Sequence, residues 1–183
     1  MDVDQKTIRR AAAGDQGAYA MIYKSYFGFV SNVAWRVTGN PHDAEEVVQE
    51  VFWKVYQKLG SFQFESSLKT WIYRITVNQA INFSKKKSRV QSPWLEYKDS
   101  ITADVMEVND HMERKENEKL VADFLNTLNA EQRACLVLRS TEGLSYQQIA
   151  DVLKIPINTV RSRIKRAREN MMALRKEVVK SEL

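Results

Sequence analysis

Ser145 to Met172, SYQQIADVLKIPINTVRSRIKRARENMM, constrains the fold more tightly than any other stretch of the chain. Ser145 is placed to cap a helix, and Gln148 three residues on completes a capping box that satisfies the first unpaired amides. Ile149, Ala150 and Leu153 follow at helical spacing. Ile155-Pro156 then stops the helix, because the residue before proline is pushed out of the helical region. Asn158 is expected to cap a second helix, with Val160, Ile164, Ala167 and Met171 on its inner face. Its outer face carries Arg161, Arg163, Lys165, Arg166 and Arg168, five cations in eight residues. Two short helices, a tight turn and a basic second helix are the parts of a helix-turn-helix, whose second helix lies in the DNA major groove. The competing reading is a solvated cationic face on an ordinary helical hairpin; the agreement of caps, turn and charge placement favours DNA binding.

The rest of the chain reads as helix. Its 183 residues hold six glycines and three prolines, 44% hydrophobic and 28% charged residues, a globular composition with mostly helical apolar spacing. A formal charge of +5 favours a polyanionic partner. No apolar run approaches membrane-spanning length, the N-terminus lacks the apolar core of a signal peptide, and the expected location is cytoplasmic. The one cysteine, Cys135, sits among apolar residues and reads as core.

The first 13 residues should contain a short helix ending near Gly14. A long helix fits Asp15 to Thr38, with Asp15 as its cap, Gly39 as its end, and a stripe from Ala18 through Ile22, Tyr26 and Val30 to Val37. Asn40-Pro41 opens the next helix, to Leu59, whose apolar stripe runs from Ala44 to Leu59 and includes Val47, Val51, Val55 and Tyr56. Its polar face holds Glu45, Glu46, Gln49, Glu50, Trp53, Lys54 and Gln57. A tryptophan among carboxylates reads either as a protein-docking surface or as one partly covered ring.

A loop with Phe62 and Phe64, Ser61 to Ser67, leads to a helix over Leu68 to Phe83, and Lys85, Lys86, Lys87 and Arg89 follow without an acid. Rings beside a cationic track form a platform for single-stranded nucleic acid. Aromatics at helical spacing also form cores, so Ile72, Ile75 and much of Trp71 are assigned to packing. From Glu96 to Glu118 eight acids face three bases and helical periodicity fades, the pattern of a flexible acidic linker. Helix resumes over Lys119 to Leu128, and Asn129 with Gln132 starts another. The expected fold is all-α: a helical domain over residues 1–89, a linker over 90–117, and a second helical domain over 118–183. His42, His111 and Cys135 have no partners at metal-ligand spacing and no glycine-rich phosphate loop exists, so neither an enzyme nor a bound cofactor or metal is expected.

In order along the chain stand Asp43-Ala-Glu-Glu-Val-Val-Gln-Glu-Val-Phe52, Thr70-Trp-Ile-Tyr-Arg-Ile75 with Asn78, Gln132-Arg133, Glu142 to Ala150, and Thr159 to Arg168. In these motifs the chain resembles, over nearly its whole length, the bacterial RNA polymerase sigma factors of the small extracytoplasmic-function class. The resemblance implies a promoter-specificity subunit with no catalysis of its own. Glu46, Gln49, Glu50 and Trp53 match the face that docks on the clamp coiled coil of core polymerase. Phe62, Phe64, Ser66, Ser67, Trp71, Arg74, Asn78, Lys85, Lys86, Lys87 and Arg89 match the segment that opens the promoter at its −10 element. One flipped base of the non-template strand would enter a pocket at the loop Phe62 to Ser67. Asn158, Thr159, Arg161, Ser162, Lys165, Arg166 and Arg168 match the reader of the duplex −35 element, carried on a domain that meets the polymerase flap. The family also implies an anti-sigma factor, often membrane-bound. Gln148 stands where the family often has Glu, and Leu128-Asn129 where it often has Leu-Pro; Gln148 still completes the box and Asn129 still caps. Lys165 occupies a variable DNA-contacting position, so no promoter sequence carries over. A helix-turn-helix regulator with an N-terminal sensing domain is the second reading, and binding to core polymerase separates the two.

Overall fold

The computed structural model describes residues 3–91, 124, 125 and 127–181. Among these residues every regular element is helical. Helix α1 (Gln5–Ala12) starts at Asp4, α2 (Gln16–Thr38) at Asp15 and α3 (Pro41–Lys58) at Asn40, each capping side chain accepting a backbone N–H from the first turn. Gly39, at φ 73°, takes the left-handed conformation that ends α2. A short 3-10 turn (Leu59–Ser61) leads through the loop to α4 (Leu68–Gln91). The second half holds α5 (Ala130–Ser140), α6 (Tyr146–Leu153) and α7 (Ile157–Ser181). Capping boxes are present at Asn129/Gln132 and Ser145/Gln148.

Helices α2, α3 and α4 pack against one another along the stripes read from the sequence, with Ile22, Val30, Val37, Val47, Val51, Val55 and Ile72 buried completely. Tyr56, expected on the inner stripe of α3, is 48% exposed. The α4 stripe also contains Tyr73, Thr76 and Val77, all buried, with the Thr76 hydroxyl donating to the Ile72 carbonyl at 2.9 Å.

Four expectations need correction. Helix α4 does not stop at Phe83 but continues through the basic segment to Gln91, so the first two residues of the expected linker are helical. No helix breaker intervenes before Pro93, and two lysines of this segment are held by carboxylates across the fold. Asn158 is not a cap: α7 begins at Ile157, and the Asn158 side chain instead accepts from Arg161 at 3.1 Å. Met171 is exposed, because the apolar face of α7 is used up at Val160, Ile164 and Ala167. Arg163 leaves the outer face of α7 and pairs with Glu131 at 2.9 Å. The remainder of the linker, and the helix expected over Lys119 to Leu128 apart from helical Phe124 and Leu125 and the turn at 127–128, lie outside the described residues.

The two halves share one core. Helix α5 packs on α2 and α4, and α6 also touches α4, so Ala134, Cys135, Leu138 and Ile149 join the hydrophobic cluster of the first half. Burial pushes the Cys135 thiol up to about 11, consistent with a core residue, not a reactive one. Arg133 is only 7% exposed and ties the junction: it donates to the Val37 carbonyl of α2 at 3.2 Å and to the Leu128 carbonyl at 3.1 Å. Beside it Glu131 accepts from both Lys85 of α4 and Arg163 of α7. The Lys85 hydrogen bond holds the Glu131 carboxyl below its ordinary range, with Arg163 adding to the effect.

Candidate nucleic-acid and polymerase interfaces

Three surfaces gather the residues singled out by sequence. The first is the helix-turn-helix. Lys154 ends α6 in a left-handed conformation at φ 53°, and the Ile155 amide donates to the Ala150 carbonyl at 3.1 Å, which fixes the tight turn. Val160, Ile164 and Ala167 bury the inner face of α7, so Asn158, Arg161, Ser162, Lys165, Arg166 and Arg168 all stand exposed, with Thr159 half-buried between them. The Ser162 hydroxyl donates back to the Thr159 carbonyl at 2.9 Å, and Lys165 lies 3.7 Å from Glu169. Contacts this exposed are worth little to the fold, which leaves the side chains available to phosphates and base edges.

The second surface is the loop after α3. Phe62 is buried against Phe64 (ring centroids 4.8 Å) and Trp71 (5.3 Å), so its ring underlies the loop. Phe64 is half-buried and sits at φ 57°, a strained backbone for a bulky residue and one that marks functional loops. Ser66 and Trp71 are half-buried and Ser67 is exposed; the Ser67 hydroxyl accepts the Thr70 amide at 3.1 Å and so starts α4. Arg74 and Asn78 lie half-buried further along α4. The cationic track is largely engaged: Lys85 meets Glu131, and Lys87 meets both oxygens of Asp43 at 2.7 and 2.8 Å, while Lys86 is exposed. The Arg89 side chain lies outside the described residues. The sequence reading missed both carboxylate partners, which lie more than 40 residues away.

The third surface lies on α3. Trp53 is 56% exposed, and Glu46, Gln49 and Glu50 flank it. Lys54 lies 3.3 Å from Glu50 and also donates to the Gln79 side chain, linking this face to α4. Trp53 stacks on Tyr56 (6.4 Å, 21° between planes) at the edge of a groove of about 490 Å3 between α2 and α3. Tyr19, Tyr23 and Phe27 form the other wall, with Tyr23 4.5 Å from the Phe52 ring. The Tyr19 hydroxyl donates to the Phe52 carbonyl at 2.6 Å, and burial pushes its pKa up to about 12, keeping it a neutral donor. Sequence reasoning did not name this wall, although its four-residue spacing along α2 is a readable signal.

Comparison with known proteins places the chain in a family. The family model of sigma-70 region 2 matches residues 22–90, and that of sigma-70 region 4 matches residues 118–171. The chain is 36% identical over 174 residues to the ECF RNA polymerase sigma-E factor of Haemophilus influenzae, covering 91% of this chain and 92% of that protein. It is 35% identical over 174 residues to the RNA polymerase sigma-H factor of Pseudomonas aeruginosa, covering 91% of this chain and 90% of that protein. The ECF RNA polymerase sigma factor SigW of Bacillus subtilis is 31% identical over 182 residues, covering 95% and 96%. The fold matches that of CnrH, solved in complex with the cytosolic domain of CnrY, at a TM-score of 0.67 and 24% identity, covering 96% of this chain and 99% of that one. It also matches the sigma factor RpoE of Bartonella quintana, solved with the anti-sigma factor NepR, at 0.64 and 24% identity, covering 86% and 96%. Capped helices, the cationic recognition helix and these matches converge: the chain belongs to the sigma-70 family, in its extracytoplasmic-function class.

Proposed function

We propose that this chain acts as a promoter-specificity subunit that docks on core RNA polymerase through α3, reads a −35 element with α7 and captures the opened −10 strand at the loop Phe62 to Ser67. It carries out no catalysis of its own and needs no cofactor. The observation that carries the reading is the pairing, in one chain, of an exposed acidic-aromatic face at Trp53 with an exposed row of cations on the second helix of a helix-turn-helix. Glu46, Gln49 and Glu50 supply polarity around a large ring, the composition of a docking hot spot. Arg161, Ser162, Lys165 and Arg166 present donors to base edges, and Arg168 meets phosphate. Asn78 and the half-buried Arg74 face the single strand, and Lys86 with Arg89 follows its backbone.

Two features support regulation by a partner. The junction between the halves engages Lys85, and both structural matches were solved bound to a second protein. An anti-sigma chain covering the α3 groove and the junction would keep both binding surfaces from polymerase and promoter. The free protein is expected to bind duplex promoter DNA poorly and to gain affinity once on core enzyme.

Arg166→Ala tests the α7 assignment. Loss of a guanidinium contact to a base edge should lower discrimination at one −35 position by about 1–3 kcal/mol while core binding is unchanged. Competition between matched and mismatched promoter fragments on the assembled holoenzyme measures it; equal loss on every sequence would reassign Arg166 to the phosphate backbone.

A further inference from the structure

The loop Phe62 to Ser67 does not enclose its cavity alone. A pocket of about 300 Å3 lies between this loop and α1, with Val3, Gln5 and Ile8 on one side and Phe64, Ser66 and Leu68 on the other. That volume is at the lower end of ligand sites and leaves room for a planar base. Its floor is apolar, since Ile8, Tyr26, Phe62 and Leu68 are all buried, and its polar groups sit at the rim. Helix α1 is a firm wall. Asp4 accepts from both the amide and the hydroxyl of Thr7 at 2.9 Å, and Arg10 holds Asp15 at 2.6 Å. The matched region 2 begins at residue 22, so nothing in that match gives α1 a role.

Two α1 side chains face the loop chemistry directly. The Arg9 guanidinium lies 5.5 Å from the Phe64 ring centroid, within cation–π range of the one loop residue held in a left-handed backbone. Gln5, the first residue of α1, is exposed and lines the pocket, and its side chain ends in a carboxamide. A carboxamide offers one donor and one acceptor side by side, the pattern that pairs with the adjacent donor and acceptor of a base edge. The Ser67 hydroxyl on the same rim is already engaged by Thr70.

We propose that α1 is the second wall of the −10 base pocket, where Gln5 sets which flipped base is accepted and Arg9 holds Phe64 as the stacking face. This rests on reading the loop Phe62 to Ser67 as the single-strand site.

The test uses the holoenzyme, core polymerase with the full chain, on forked promoter probes carrying each of the four bases at the flipped position. Gln5→Ala should flatten the preference among the four probes by 5-fold or more, leaving preferences at other −10 positions intact. Gln5→Glu, which offers acceptors only, should favour bases with an exposed amino group and disfavour thymine. Phe64→Ala and Arg9→Ala should weaken all four probes together, Phe64→Ala by 10-fold or more. If Phe64→Ala weakens binding while Gln5→Ala and Gln5→Glu leave the preference unchanged, the assignment of Gln5 is wrong and the loop reading stands. If Phe64→Ala has no effect either, the loop is not the strand site and both readings fall.

Discussion

Trp53→Ala should weaken binding to core polymerase by about 2 kcal/mol or more, the scale of an interface hot spot, while leaving the chain folded. The ring is 56% exposed and its contact with Tyr56 is at the surface, so its loss opens no cavity in the core. Fluorescence titration of labelled chain with core enzyme measures the first effect, and circular dichroism with thermal unfolding the second. A large drop in melting temperature with unchanged core affinity would make Trp53 a structural residue and move the docking surface elsewhere. The groove sharpens the expectation further. Tyr23→Ala, on the opposite wall, should act in the same direction as Trp53→Ala if one partner element lies between them.

Arg133→Met is expected to separate the two halves. The guanidinium is nearly sealed from solvent and donates to carbonyls on both sides of the junction. Hydrogen bonds from a charged group contribute about 1.5–3 kcal/mol each, and methionine fills much of the same space without replacing them. The radius of gyration in solution scattering should rise, and the affinity of the free chain for single-stranded −10 DNA should rise several-fold as Lys85 leaves Glu131. An unchanged radius together with lower stability would confine the role of Arg133 to the second half. The same junction has a pH dependence of definite sign. The Glu131 carboxyl has a lower pKa in the folded chain than in the unfolded one, chiefly through its Lys85 hydrogen bond. Its contribution is therefore complete above the unfolded-chain value and is lost as pH falls through the lower folded value. Acid should loosen the junction, and Glu131→Gln should remove that dependence.

The local rules of the chain were readable because they act over three or four residues. Asp15, Asn129 and Ser145 are legible as caps from side-chain chemistry alone, and each accepts the expected amide. The apolar stripes of α2 and α3 followed from periodicity, with Tyr56 the exception that opens the groove. What escaped sequence reading depends on contacts across the fold. Nothing local shows that Lys87 finds Asp43, that Lys85 and Arg163 converge on Glu131, or that these contacts hold the end of α4 helical. Phe62 and Phe64 look alike in sequence, yet one is buried under its neighbours and the other sits in a left-handed backbone at the pocket edge. The wall that α1 supplies to that pocket, more than 50 residues earlier in the chain, was likewise beyond any spacing argument.

The most direct test of the central claim is in vitro transcription by bacterial core RNA polymerase on fragmented genomic DNA of the source organism, with sequencing of the RNA 5′ ends. The account predicts discrete start sites that appear only when this chain is added, preceded by a shared pair of −35 and −10 sequences, and lost with Trp53→Ala. A chain that neither binds core enzyme nor directs any start would contradict it, leaving a helix-turn-helix protein whose α3 face serves some other partner.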